Sequence, residues 1–247
     1  MAGPHPVTCP SGLAVEVRGL KAKEANMLAE QGSRGGVSAF DSLLKSCWIA
    51  TTATGVYSVA PDGALNWSDV LVGDRFAVLL GIRIATHGPE YHFPVRCGAC
   101  GNRYEWEINL NDLPTKPFPA ASLAAFTNGN KLATTLEDGR PVTFRLLTGA
   151  GEVQVARLLK QARATAVTSA LAARILAIHD VAEEDKMGFL EDLELSAVTD
   201  LLAKFEEADG GVETSIQVTC TSPACGNEEA KALPFDRTFW MPTKRTR

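Results

Sequence analysis

The chain has 247 residues, 45% hydrophobic and 21% charged, with a formal net charge of −5. That length and balance suit one large domain or two small ones with a substantial core, and the negative charge disfavours non-specific attraction to nucleic acid or anionic membranes. No apolar run is long enough to span a bilayer, and residues 1–10 lack the basic-then-apolar layout of a secretory signal, so a reducing compartment is expected.

Residues 1–12 carry three prolines and two glycines and predict a poorly ordered arm. Leu13, Val15 and Val17 then alternate with Ala14, Glu16 and Arg18, the pattern of a short half-buried strand. A helix is expected over about 21–30, with Leu20, Met27 and Leu28 apolar and Gly32 placed to stop it. A second helix from about Val37 puts Phe40, Leu43, Leu44 and Cys47 on one face, which makes Cys47 a small buried hydrophobe rather than a reactive thiol. Residues 56–67 read as loop, with a turn at Pro61-Asp62-Gly63. Between Val70 and Ala85 the residues Val72, Phe76, Leu79, Leu80 and Ile84 repeat at helical spacing, and Gly88-Pro89 ends the pattern. Asp74 in its first turn and Arg83 near its last match the helix macrodipole and read as capping electrostatics. Residues 13–90 are thus an N-terminal region of one strand and helices.

Two cysteine clusters follow, far apart in the chain. The first is Cys97-Gly98-Ala99-Cys100 and the second Cys220-Thr221-Ser222-Pro223-Ala224-Cys225, and each continues into Gly-Asn. Tyr91, Phe93 and Val95 alternate into the first, and Tyr104, Trp106, Ile108 and Leu110 alternate out of it. Val212, Thr214, Ile216 and Val218 lead into the second, whose exit through Ala232, Leu233 and Phe235 to Phe239 and Trp240 reads as irregular. Zinc takes four soft ligands, and short Cys-to-Cys spacings supply two at a time. Cys97, Cys100, Cys220 and Cys225 are therefore expected to hold one structural zinc per chain, in a zinc-ribbon-like β core spanning 91–111 and 212–242. A thioredoxin-type redox pair would need a helix after its first thiol, and strand alternation stands there instead. His92 is read as a strand residue; His5, His87 and His179 have no motif around them. With no phosphate loop, nucleophile elbow or His-Glu-x-x-His, nothing asks for an enzyme.

Between the ribbons, residues 112–211 read as an insertion. Pro114, Pro117 and Pro119 form a stiff connector that suits no central strand. Leu132, Thr134 and Leu136, the Asp138-Gly139 turn, and Val142, Phe144 and Leu146 predict a hairpin. An alanine-rich helix is expected over about 153–178, central to a helical layer, and Ser196 is placed to cap another over about 197–208, ended by Gly210-Gly211. Residues 243–247 form a small basic tail. The expected class is α+β: a zinc-ribbon-like core from two cysteine knuckles, an N-terminal helical region, and a mixed hairpin and helical insertion.

A longer series of segments goes beyond these elements. Leu71-Val72-Gly73-Asp74-Arg75, Leu79-Leu80, Arg83-Ile84-Ala85 and His87-Gly88-Pro89-Glu90-Tyr91 lead into the first knuckle. Glu107-Ile108-Asn109-Leu110 and Val142-Thr143-Phe144-Arg145-Leu146-Leu147-Thr148-Gly149 follow. Arg18-Gly19-Leu20 with Lys23-Glu24 lies before them, and Phe239-Trp240-Met241-Pro242 after. In this order and spacing they resemble the phage baseplate hub assembly family of T-even-type contractile tails, known as hub subunits or hub assembly chaperones, over residues 13–242. The wider spacing of the second knuckle departs from the tighter first. The resemblance implies a non-enzymatic part of a phage tail or related injection particle, assembled in the bacterial cytoplasm. Its implied partners are other baseplate hub and wedge proteins, with neither membrane nor nucleic acid expected. The alternative is a zinc-ribbon module that binds nucleic acid or a polymerase, using Tyr104, Trp106 and the basic tail.

Overall fold

A computed structural model describes residues 3–31, 36–160 and 166–241. Its first sheet has the order β1 (His5–Thr8), β2 (Ala14–Val17) and, after helices α1 (Ala22–Gln31) and α2 (Gly36–Cys47), β3 (Trp48–Ala53). Val15 and Val17 of β2 are buried, as their alternation predicts. The expectation of a poorly ordered arm over 1–12 is corrected for residues 5–12. Val7 pairs with Val15 across the sheet, and Pro6 is tolerated because β1 is an edge strand with no second neighbour to donate to. Strand β3 was not legible, because its pairing with β2 carries two register shifts and its exposure does not alternate cleanly.

Helix α3 (Val72–His87) is enclosed almost on all sides, from Ala77 to Arg83. Val7 of β1 packs so closely on it that a Cβ at Gly81 would lie 2.3 Å from a Val7 methyl. Two charges of α3, Asp74 and Arg83, are not the capping electrostatics expected from the sequence. Asp74 is fully buried and accepts hydrogen bonds from the Ser11 amide (3.0 Å), the Ser11 hydroxyl and the Tyr57 hydroxyl (2.5 Å). Arg83 donates from Nε to the Phe239 carbonyl (2.6 Å) and from Nη1 to the Gly88 carbonyl (3.0 Å). One tethers residues 9–13 to the start of the helix; the other tethers the C-terminal segment to its end.

Two antiparallel ribbons follow from the alternating stretches around the cysteines. The first pairs β4 (Glu90–Arg96) with β5 (Arg103–Asn109). Next come a two-residue strand β6 (Thr115–Lys116), helix α4 (Ala120–Thr127), β7 (Leu132–Thr135) and β8 (Pro141–Phe144). The hairpin of β7 and β8 closes as expected, with Gly139 at φ +84° in the turn. The single alanine-rich helix is corrected. It divides into α5 (Gly149–Lys160) and α6 (Ala166–Arg174), and residues 175–178 form β9 (Ile175–Ile178) on the edge of β8. Ile175 and Ile178 are buried, and β-branched side chains on a paired, half-buried surface outweigh alanine's helical preference.

Helices α7 (Lys186–Glu191) and α8 (Leu195–Ala208) complete this part. Ser196 does not cap α8: it lies inside the first turn and donates to the Glu137 carboxylate. The chain then forms β10 (Gly211–Val212), β11 (Ser215–Thr219), β12 (Glu228–Ala232) and the short α9 (Arg237–Trp240). The strand expected as continuous from Val212 to Val218 is thus broken, and β10 pairs with β6, inside the proline-rich connector. Pro114 and Pro117 flank that pair, so no amide needed by it is missing.

The described pairings are all antiparallel, and the architecture is mixed α+β. One hydrophobic core joins β1–β3, α2, α3, both ribbons and α9 through residues such as Leu13, Leu43, Trp67, Val78, Ile82, Tyr91, Val218 and Phe239. The buried residues of a second core all lie within 136–205, including Val142, Phe144, Leu171, Ile175, Leu201 and Phe205, and Leu132 and Ala208 pack against both cores. The Gly32 stop and the basic tail at 243–247 lie outside the described residues.

Candidate metal centre

Each knuckle is the tip of a two-stranded ribbon. In the first, the Cys97 amide donates to the Asn102 carbonyl (2.9 Å) and the Gly101 amide to the Cys97 carbonyl (3.0 Å). In the second, the Cys220 amide donates to the Asn227 carbonyl (2.8 Å), while the Gly226 amide returns to Ser222 (3.4 Å). Gly101 and Gly226 have φ of +73° and +59°, the left-handed region that glycine enters without strain. This explains the repeated Gly-Asn and the different spacings. Both turns close on the glycine, but the second starts at Ser222, in the position Cys97 takes in the first. Cys220 is set back by two residues, and the wider loop still delivers both thiols.

The exit of the second knuckle is not irregular. Strand β12 pairs with β11 over five residues, from Thr219 opposite Glu228 to Ser215 opposite Ala232. Glu228-Glu229-Ala230-Lys231-Ala232 has no strand-forming composition; its partner imposes the conformation.

The ribbons bring Cys97, Cys100, Cys220 and Cys225 together, with all four sulfurs within 4.8 Å of one another. Cys97 and Cys225 are 3.9 Å apart at sulfur, and Cys100 and Cys220 are 3.7 Å apart. Each close pair takes one cysteine from each knuckle. A tetrahedral zinc with Zn–S bonds of about 2.3 Å places its sulfurs about 3.8 Å apart, so the donor set fits a four-thiolate ion. A disulfide, at about 2.05 Å, does not describe these separations. Cys97 and Cys220 are buried, Cys225 half-buried and Cys100 exposed.

The surroundings favour thiolate at Cys97, whereas the Cys100 and Cys220 thiols are raised. The backbone amide of Cys100 leads the interactions that bring the Cys97 thiol down to about 7, and the Asn227 side-chain amide donates to the Cys97 sulfur (3.9 Å). Across the ribbons, the Gly98 amide donates to Glu229 Oε1 (2.9 Å), and Lys231 pairs with the same carboxylate at 2.9 Å. The Gly98 amide, followed by Lys231, holds the Glu229 carboxyl below the usual range. Asn227 belonged to a visible motif, whereas nothing in the sequence marked Glu229. Four cysteines close a tetrahedral shell, which suits a structural ion rather than a catalytic one with an open position.

The other cysteines stand apart. Cys47 is buried beneath Arg18, and burial pushes its thiol up to about 11; burial and nearby Asp74 raise the Cys9 thiol as well. Both are poor nucleophiles in those settings. His92 faces Glu107 across the first ribbon at 3.6 Å, and His87 bonds to the Trp240 carbonyl at 3.0 Å. Among the described residues, neither belongs to the thiol cluster.

No curated protein and no solved structure matches the chain. The family model described as "T4 bacteriophage base plate protein" matches residues 16–239, a span that runs from the end of β2 through both knuckles and the buried residues of the second core into most of α9. That match covers the series of motifs from Arg18 as far as Phe239. The chain belongs to the T4 bacteriophage base plate protein family.

Proposed function

We propose that the protein is a non-enzymatic structural or assembly component of the baseplate hub of a contractile tail or related injection particle, held together by one zinc on Cys97, Cys100, Cys220 and Cys225. The observation that carries this reading is the convergence of four thiols from two ribbons in a chain of the baseplate family. Cys100 and Cys220 are 120 residues apart, so a metal there closes a long loop. Loop-closure cost grows by only about 0.6 kcal/mol per doubling of length. Apparent zinc binding in small four-ligand peptides is on the order of 10–16 kcal/mol, which offsets it. The ion fixes the two ribbons against α3 and leaves the second core, within residues 136–205, as a lobe for contacts with hub and wedge proteins.

The nucleic-acid alternative has less support. Tyr104 and Trp106, which it would use to stack bases, are half-buried and packed edge-to-face at 6.3 Å. The functional test is quantitative mass spectrometry of purified tails and of assembly intermediates from the same lysate. A fixed copy number in finished baseplates supports a structural part, and presence only on hub intermediates supports an assembly role. Absence from both overturns the reading.

A further inference from the structure

Among the described residues the two ribbons share no strand pairing: β4 pairs with β5 and β11 with β12, in separate two-stranded sheets. No backbone ladder therefore sets one knuckle against the other. Strand β12 has an unusual inner face. Glu228, Ala230 and Ala232 are exposed, whereas Glu229 and Lys231 are half-buried, on the side where Glu229 stands opposite the fully buried Val218. A carboxylate turned inward needs donors, and Glu229 has two. Lys231 Nζ lies 2.9 Å from Oε2, and the Gly98 amide of the first knuckle donates to Oε1 at 2.9 Å. The second of these crosses between the ribbons and joins residues 131 apart in the chain. It also accounts for the glycine after Cys97, since a Cβ at Gly98 would lie 2.8 Å from Glu229 Oε2. Asn227, two residues before Glu229, reaches the Cys97 sulfur at 3.9 Å. That bond is weak unless the sulfur is a thiolate. The bond from Gly98 joins an amide to a carboxylate and needs no ion.

We infer that Glu229 is a positioning residue for the four-cysteine centre: it latches the first knuckle to the second ribbon before metal arrives, so that the thiols already face one another when the ion binds. The inference rests on the zinc reading above, but the latch itself is a property of the metal-free chain. A site held in advance loses less freedom on binding. Partners that support the ligands of a metal site typically carry about 10–100-fold of its affinity.

The test begins with hydrogen exchange of the Gly98 amide in the metal-free full chain. Wild type should protect this amide, and Glu229→Ala should lose the protection while the amides paired between β11 and β12 keep theirs. Glu229→Ala should also weaken the zinc Kd, measured by chelator competition, about tenfold or more. Glu229→Gln leaves an acceptor for the Gly98 amide and should recover most of that loss, which general damage to the fold would not allow. Gly98→Ala attacks the same bond from the other side, displacing only the end of a flexible side chain. Its effect on Kd should match that of Glu229→Ala, and the double variant should be no worse than either, because one contact is lost once. A Gly98 amide that exchanges freely in metal-free wild type overturns the inference, as does a zinc Kd unchanged in Glu229→Ala and Gly98→Ala. Should Glu229→Ala fail to fold, Gly98→Ala and the wild-type exchange decide. A wild type that takes no zinc overturns the zinc reading itself, a distinct result, since Gly98 exchange reports the latch without metal.

Discussion

Replacing Asp74 with alanine is expected to destabilise the fold by about 2–4 kcal/mol, and the reason lies in three donors. The Ser11 amide, the Ser11 hydroxyl and the Tyr57 hydroxyl all point at this one buried carboxylate. A buried donor left without an acceptor costs about 1–3 kcal/mol. The total falls below three full penalties because the hydroxyls can turn, and because removing a buried carboxylate relieves its own desolvation. Asp74→Asn keeps an acceptor for the Ser11 amide and should lose only about 1 kcal/mol. The pH dependence has a definite sign. Burial raises the Asp74 pKa above its ordinary value despite the three hydrogen bonds. The native state then binds more protons than the unfolded chain over the window between the two pKa values. Wild-type stability relative to the Asn variant is therefore greatest below the ordinary carboxylate pKa of about 3.9 and declines as pH rises through the native value. Urea unfolding of wild type and both variants across a pH series measures this, and any metal contribution common to the proteins cancels in the differences. The reasoning is refuted if Asp74→Ala unfolds within about 0.5 kcal/mol of wild type, the range of an ordinary surface change. It is refuted equally if wild type gains on the Asn variant as pH rises.

Two further substitutions probe the packing. Gly73→Ala should destabilise, although alanine is favoured over glycine in a helix by about 1 kcal/mol, because its Cβ would lie 2.1 Å from the Gly210 carbonyl oxygen; a raised melting temperature would show that this approach is not kept. Phe205→Ala empties a position in the second core, 4.8 Å from the Phe144 ring centroid. It should cost about 3–5 kcal/mol in denaturant unfolding while leaving the zinc content unchanged, and loss of zinc in the folded variant would contradict the separation of the two cores.

What the sequence made legible was the part governed by local rules. The two cysteine spacings, the shared Gly-Asn, the alternation around Tyr91 and Tyr104, and the Asp138-Gly139 turn each follow from one stretch of chain. The elements that escaped were imposed by the strands and side chains they pair with rather than by their own composition. Strand β9 lies in an alanine-rich context and exists because β8 offers an edge; β12 is rich in charge and exists because β11 pairs with it. Asp74 and Arg83 fit the helix-dipole pattern, yet Asp74 is held by Ser11 and Tyr57 and Arg83 by Phe239, all outside the helix. The same holds at the thiol cluster. Its four ligand candidates were visible as spacings, whereas Glu229 gains meaning only once the ribbons face each other.

The zinc content of the purified chain tests the central claim most directly. Elemental analysis of protein prepared without chelator should find one zinc per chain, with Cys97, Cys100, Cys220 and Cys225 protected from alkylation until the metal is removed. Cys220→Ser should lose that zinc and melt at a lower temperature, since one knuckle can no longer close the shell. Wild-type protein without zinc, with all four thiols reacting freely and with the melting temperature unchanged in Cys220→Ser, would contradict the account.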